Sequence, residues 1–155
     1  MPQRLFHVLL VEDNPAEARL VSEAFRDFKR RHQLHAVSDG EAALDFLYRR
    51  EGHSHRPRPR LILLDINLPK KDGFEVLRTI KTDPKLRRIP VIMLTGSNAV
   101  WDVTKAYDYH ANAYLQKPTD IVDYLKLMQK IEEFWLCSVE FAPDELKPSS
   151  AASHE

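Results

Sequence analysis

A chain of 155 residues, 43% of them hydrophobic, is long enough for one domain with a full core and leaves little for a second. Its 23 basic and 23 acidic side chains cancel, and a pI near 7.1 excludes binding to nucleic acid through bulk positive charge. A single cysteine, Cys137, excludes an internal disulfide, no apolar run approaches the roughly 20 residues that cross a bilayer, and Met1 to His7 carry no leader. The expectation is a cytoplasmic protein.

In chain order, Phe6 to Val11 is an unbroken apolar run, the pattern of a strand covered on both faces. Pro15 to Arg31 follows with Ala18, Val21, Ala24, Phe25 and Phe28 at helical spacing, and Lys29-Arg30-Arg31 suit a helix C-terminus. Leu34 to Val37 is a weaker strand candidate because His35 interrupts it. Gly40 to Arg50 reads as a helix through Ala43, Leu44 and Leu47. Glu51 to Arg60 (EGHSHRPRPR) reads as a solvated loop, with His53 and His55 facing solvent. Its Arg56, Arg58 and Arg60 lack interleaved stacking aromatics, so no nucleic-acid partner is expected.

Leu61 to Leu64 is a third strand, and Phe74 to Thr82 a helix stopped by Asp83-Pro84. Val91 to Leu94, Ala99 to His110, Ala113 to Leu115 and Asp120 to Leu136 complete the series as strand, helix, strand, helix. Strand and helix thus alternate five times, which predicts a doubly wound α/β fold on a five-stranded parallel sheet. Residues 1–136 form the domain; residues 137–155 are a short arm, to about Ala142, and a disordered tail from Pro143 onward. They are too few for a DNA-binding output domain.

In such sheets ligands bind beyond the carboxyl ends of the strands. Glu12-Asp13, Asp65, Thr95-Gly96 and Lys117-Pro118 all fall there, which gathers three carboxylates, a hydroxyl and an ammonium at one edge. Three unpaired carboxylates would repel one another, and a hard dication removes that penalty. Mg²⁺ fits best, since it accepts a few carboxylate oxygens and keeps an open position for a phosphoryl oxygen. Lys117 can then neutralise a second phosphoryl oxygen, and the Thr95 hydroxyl and Gly96 N–H can donate to a third. Taken singly, each residue reads as solvated charge, a helix cap or a strand end; their agreement at successive strand ends carries the reading.

The segments VEDNP (Val11 to Pro15), LLDINLPKKDG (Leu63 to Gly73), MLTGS (Met93 to Ser97) and YLQKP (Tyr114 to Pro118) resemble the receiver domain of bacterial response regulators. The resemblance spans about Leu5 to Leu136 and implies the flavodoxin-like (βα)5 fold. It implies that Asp65 is the phosphorylated aspartate and that Asp13, Asp65 and the backbone carbonyl of Asn67 ligate Mg²⁺ or Mn²⁺, with Glu12 holding the metal mainly through water. It assigns Thr95, Gly96 and Lys117 to the phosphoryl group, Tyr114 to the switch, and Asn67 and Ser97 to tuning the phosphoryl lifetime. It also implies a cis Lys117–Pro118 bond. KAYDYHANAYLQKP (Lys105 to Pro118) and KIEEFW (Lys130 to Trp135) resemble the stand-alone regulators paired with bacteriophytochrome kinases, which implies a light-regulated histidine kinase as partner. A phosphoacceptor of this kind supports its own phosphoryl transfer and autodephosphorylation but is not an enzyme acting on other substrates.

The last helix carries more apolar residues than one buried stripe requires. A homodimer through Tyr107, Tyr109, Tyr124, Met128, Phe134 and Trp135, with the arm, is the expectation; the alternative is a tail folded back over its own helix. Three rival functions are weaker. A receiver-like interaction module that no longer uses phosphorylation predicts a damaged acidic pocket. An aspartate-nucleophile hydrolase wants a second acid where Asn67 stands. A P-loop NTPase lacks its GxxxxGK[ST].

Overall fold

In the computed structural model, residues 4–143 are described, so the expectation for the tail beyond Pro143 lies outside the described residues. Five strands, β1 (Phe6–Val11), β2 (His32–Val37), β3 (Leu61–Leu64), β4 (Val91–Thr95) and β5 (Ala113–Gln116), form one parallel sheet in the order β2-β1-β3-β4-β5. Five helices alternate with them: α1 (Pro15–Arg26), α2 (Gly40–Tyr48), α3 (Gly73–Thr82), α4 (Val100–Asp108) and α5 (Ile121–Ile131). The doubly wound, flavodoxin-like expectation is met.

Both faces of the sheet are covered, so its central strands β1, β3 and β4 have no polar alternation to show. Phe6, Val8 and Leu10 of β1 pack with Val21, Ala24 and Phe25 of α1 and Tyr124, Met128 and Ile131 of α5. Leu9 and Val11 pack on the opposite face with α2, α3 and α4 through Leu44, Leu47, Leu77 and Ala106. Strand order reverses between β1 and β3, which opens a crevice at their carboxyl ends.

The differences from the sequence reading have local causes. Helix α1 stops at Arg26, not Arg31, because Phe28 turns into the core, its ring 4.2 Å from that of Phe25, and His32 already begins β2. Lys29-Arg30-Arg31 therefore do not cap a helix; the Arg30 guanidinium instead donates to the carbonyls of Arg4 and Arg31. The interrupted strand is real and longer than expected, since His35 is buried beside His7, with their ring nitrogens 3.0 Å apart. The last helix leaves regular α geometry at Glu132 for a five-residue π turn to Leu136, which carries Leu136 into the core and Phe134 out to solvent.

Two residues of the expected dimer face are corrected. Tyr124 and Met128 are 3% and 0% exposed against the chain's own sheet and offer no surface to a second copy. Trp135 is half-buried on the same core, and Tyr109 packs edge-on to Phe74. Phe141 of the arm lies 5.3 Å from Phe6 in an edge-to-face contact, so this part of the arm returns to its own domain.

Candidate phosphoacceptor site

The site begins with strand ends. β1 delivers Glu12, whose N–H continues the ladder to the Val37 carbonyl. β3 delivers Asp65, whose N–H donates to the Val11 carbonyl at 3.2 Å. β4 ends in Thr95, and its carbonyl accepts from the N–H of Lys117 just past β5 at 2.7 Å. Four residues from four separate stretches of chain therefore meet because a parallel sheet aligns its carboxyl ends.

Helix α3 fixes the Asp65 backbone from below. Gly73, its first residue, donates to the Ile66 carbonyl at 2.8 Å, and a Cβ there would stand 2.1 Å from the Asp65 carbonyl oxygen. Only glycine permits that approach.

The charges converge on Lys117. Its Nζ donates to Glu12 Oε1 at 2.5 Å, Glu17 Oε2 at 2.8 Å and Asp65 Oδ2 at 2.9 Å. Lys117, Asp65 and Glu12 are all buried. Burial works against the Lys117 charge, but the bonds to Glu12, Glu17 and Asp65 outweigh it and hold the ammonium above its usual range. Burial pushes the Glu12 carboxyl the other way, up to about 7, against the bonds it accepts from Lys117 and the Asn14 N–H. Three carboxylates share one ammonium, a pocket short of positive charge.

Glu17 was not singled out by sequence reasoning. It occupies the first turn of α1 behind the N-cap Asn14, whose side chain accepts from the N–H groups of Ala16 and Glu17, and there an acid reads as ordinary complement to the helix dipole. Oxygens of Glu12, Glu17 and Asp65 all lie within 4.8 Å of one another, a spacing that fits a divalent cation. Asp13 is exposed beside this group and outside it in the present arrangement. Asn67 is exposed two residues past Asp65, to whose Oδ1 its N–H donates at 3.4 Å.

Thr95 supplies a second sign of a ligand. It is 0% exposed, yet its Oγ1 has no hydrogen-bond partner among the described residues. A buried hydroxyl left unpaired costs free energy, so such groups are usually explained by a water, an ion or a ligand. Gly96 follows it with open space on its Cα. Tyr114, on β5, is half-buried and its hydroxyl donates to the Ser97 carbonyl at 2.8 Å, while Ser97 Oγ donates to Asp102 on α4 at 2.6 Å. The β4–α4 loop is thus tied to both neighbouring elements.

One expectation is corrected. The Lys117–Pro118 bond is trans, as are all peptide bonds among the described residues. Lys117 is aimed by its N–H bond to Thr95 and by its three carboxylate partners.

A sheet with its order reversed at β1 and β3, and acids, hydroxyl and lysine at its carboxyl edge, defines a class that family comparison identifies. The chain belongs to the response regulator receiver domain family, whose model matches residues 8–131. Within it, the chain is 48% identical over 132 residues to response regulator Rcp1 of Synechocystis sp. (strain ATCC 27184 / PCC 6803 / Kazusa), covering 85% of this chain and 90% of the relative. The crystal structure of Mn²⁺-bound Rcp1 is similar with a TM-score of 0.85 at 46% identity, covering 89% of this chain and 99% of that one. The phosphorylated cyanobacterial phytochrome response regulator RcpA is similar with a TM-score of 0.87 at 41% identity, covering 90% of this chain and 100% of that one. The chain thus resembles phytochrome response regulators, and its acidic group fits the divalent metal of such domains.

Proposed function

We propose that this protein is a phosphoacceptor switch of a two-component system. A phosphohistidine on a sensor histidine kinase, by likeness to RcpA a phytochrome, hands its phosphoryl group to the Asp65 carboxylate. The carboxylate oxygen attacks phosphorus in line, the new P–O bond forms as the P–N bond breaks, and the imidazole leaves. Water later cleaves the acyl phosphate and resets the switch. The protein provides position and charge rather than an acid or base. The chemistry is confined to its own aspartate, so this is not an enzyme acting on other substrates. A cytoplasmic location goes with such a kinase partner.

Mg²⁺ would be held by Asp65 and the Asn67 carbonyl together with Asp13, once Asp13 turns in from its exposed position, with Glu12 behind them, and would supply neutralisation of phosphoryl oxygens. Lys117 then turns its ammonium to the phosphoryl group, the Gly96 N–H donates to it, and the Thr95 hydroxyl gains the acceptor it lacks. Tyr114 follows the movement of Thr95, and Asn67 and Ser97 tune how long the phosphoryl group survives. A homodimer through Phe134, Tyr107, Tyr109 and Trp135 completes the proposal; Phe134 and Tyr107 are 58% and 49% exposed.

The observation that carries this reading is the convergence of Asp65 and Lys117, 2.9 Å apart across 52 residues of chain, at the strand edge that also buries an unpartnered threonine hydroxyl. Acetyl phosphate with Mg²⁺ tests it, read by intact mass. The full chain is expected to gain one phosphoryl group, and the gain is expected to vanish in Asp65→Asn and after chelation. No uptake by the unaltered protein would favour a phosphorylation-independent interaction module.

A further inference from the structure

The end of the loop Glu51 to Arg60, read from sequence as solvated, forms through Arg58, Pro59 and Arg60 one wall of a cleft at the opposite edge of the sheet from Asp65. Pro59 and Arg60 lead into β3, Ile89 and Pro90 lead into β4, and the arm closes the third side with Phe141. The cleft has a volume of about 570 Å³, within the range of small-ligand sites.

Its lining is one-signed. Arg49, Arg58, Arg60, Lys85 and Arg88 contribute five cations, and the described lining residues include no carboxylate. The neighbouring acid Asp83 is engaged by the Tyr48 hydroxyl at 2.5 Å and the Lys85 N–H at 2.8 Å. Two of the guanidinium groups are held in place by backbone: Arg49 Nε donates to the Arg56 carbonyl at 3.0 Å and Arg58 Nη1 to the Leu47 carbonyl at 2.8 Å. Lys85 and Arg88 are exposed. Behind the Tyr48 hydrogen bond, the charges of Lys85 and Arg58 help hold the Asp83 carboxyl below the usual range, yet neither Lys85 nor Arg88 makes a close ion pair among the described residues. In a protein of zero formal net charge, such an unbalanced cluster is a local arrangement and not a consequence of composition.

The remaining wall is apolar and partly aromatic. Pro59, Pro84, Ile89, Pro90 and Phe141 line it, and the Arg60 guanidinium lies 5.9 Å from the Phe141 ring centre. Five cations call for a ligand with several negative charges; the prolines and the ring call for one with a flat apolar part. We propose that this cleft binds a nucleotide, its phosphates among Arg58, Arg60, Lys85 and Arg88 and its base against Phe141 and the prolines. The site is separate from the phosphoacceptor pocket and independent of that pocket's function.

Calorimetric titration of the full chain in chelator tests it, with adenosine triphosphate, inorganic triphosphate, adenosine and a polyglutamate peptide as probes. One adenosine triphosphate per chain is expected, with inorganic triphosphate weaker and adenosine without measurable binding. The Lys85→Gln/Arg88→Gln double variant is expected to weaken nucleotide binding at least about tenfold, the loss of two charge-assisted contacts. Phe141→Ala is expected to weaken the nucleotide and spare inorganic triphosphate, and Asp65→Asn to bind as the parent does. Absence of saturable binding, equal affinity for inorganic triphosphate, tighter binding of the peptide, or indifference to the double variant at unchanged circular dichroism would each overturn the proposal. Acetyl phosphate uptake, measured separately, reports on the phosphoacceptor pocket and not on this cleft.

Discussion

At Thr95 a hydroxyl is sealed from water beside the charged pocket without a partner among the described residues. Such a group lowers the stability of the resting fold by about 1–3 kcal/mol and regains it when an acceptor arrives. Thr95→Val keeps the shape and removes the hydroxyl. It is expected to raise stability by about 1 kcal/mol in urea unfolding while slowing phosphoryl uptake from acetyl phosphate; a destabilised variant with unchanged uptake would refute this role. His35 offers a second residue-scale test. Burial, then the neighbouring His7 and Arg56, lowers its pKa from 6.5 to about 4. The folded state therefore prefers the neutral ring. Its contribution is whole above pH 6.5 and is lost as pH falls towards 4, on the order of 1–3 kcal/mol. Urea midpoints between pH 7.5 and 4.5 are expected to show this acid limb, flattened in His35→Gln, which retains a partner for His7. An unchanged limb in that variant would assign the slope to other groups.

Among the elements, the turn from β3 into α3 has the least room. Gly73 lies so close to the Asp65 carbonyl that a methyl group cannot enter without moving the strand end. Gly73→Ala is expected to cost about 2 kcal/mol or more by thermal or urea unfolding, and to reduce phosphoryl uptake in the fraction that folds. Parent-like stability and uptake would mean that the loop yields freely. Helix α1 shows the same coupling from the other side of the crevice. Its Asn14 cap and Pro15 start set the first turn, and that turn carries Glu17 to Lys117. The π turn after α5 lets a single helical segment bury Leu136 and expose Phe134.

For the whole molecule, the two sheet edges divide the chemistry. The carboxyl edge gathers acids around a single lysine, and the amino edge gathers cations around an apolar wall. Outside both lies Phe134, exposed beside the half-buried Trp135, with their rings 5.4 Å apart. If two copies pair there, light scattering over a concentration series is expected to show a dimer that Phe134→Glu converts to monomer. A monomer at every concentration in the parent chain would remove the interface. No helix among the described residues is long and apolar enough to cross a membrane.

The central strands are legible because burial on both faces demands unbroken apolar runs, whereas the edge strand β2, interrupted by His35, is less so. The pocket is legible because its members follow such runs directly. That is local information, and Asp65, Thr95 and Lys117 are found from it. Glu17 was not, since a glutamate in a helix's first turn looks the same whether or not a lysine 100 residues away reaches it. Tyr124 and Met128 looked like surplus surface until the sheet received them, and Arg58 and Arg60 looked solvated until the β4 entry and the arm faced them. Periodicity records which side of an element is apolar; only packing between distant segments decides what that side, or a charge beside it, meets.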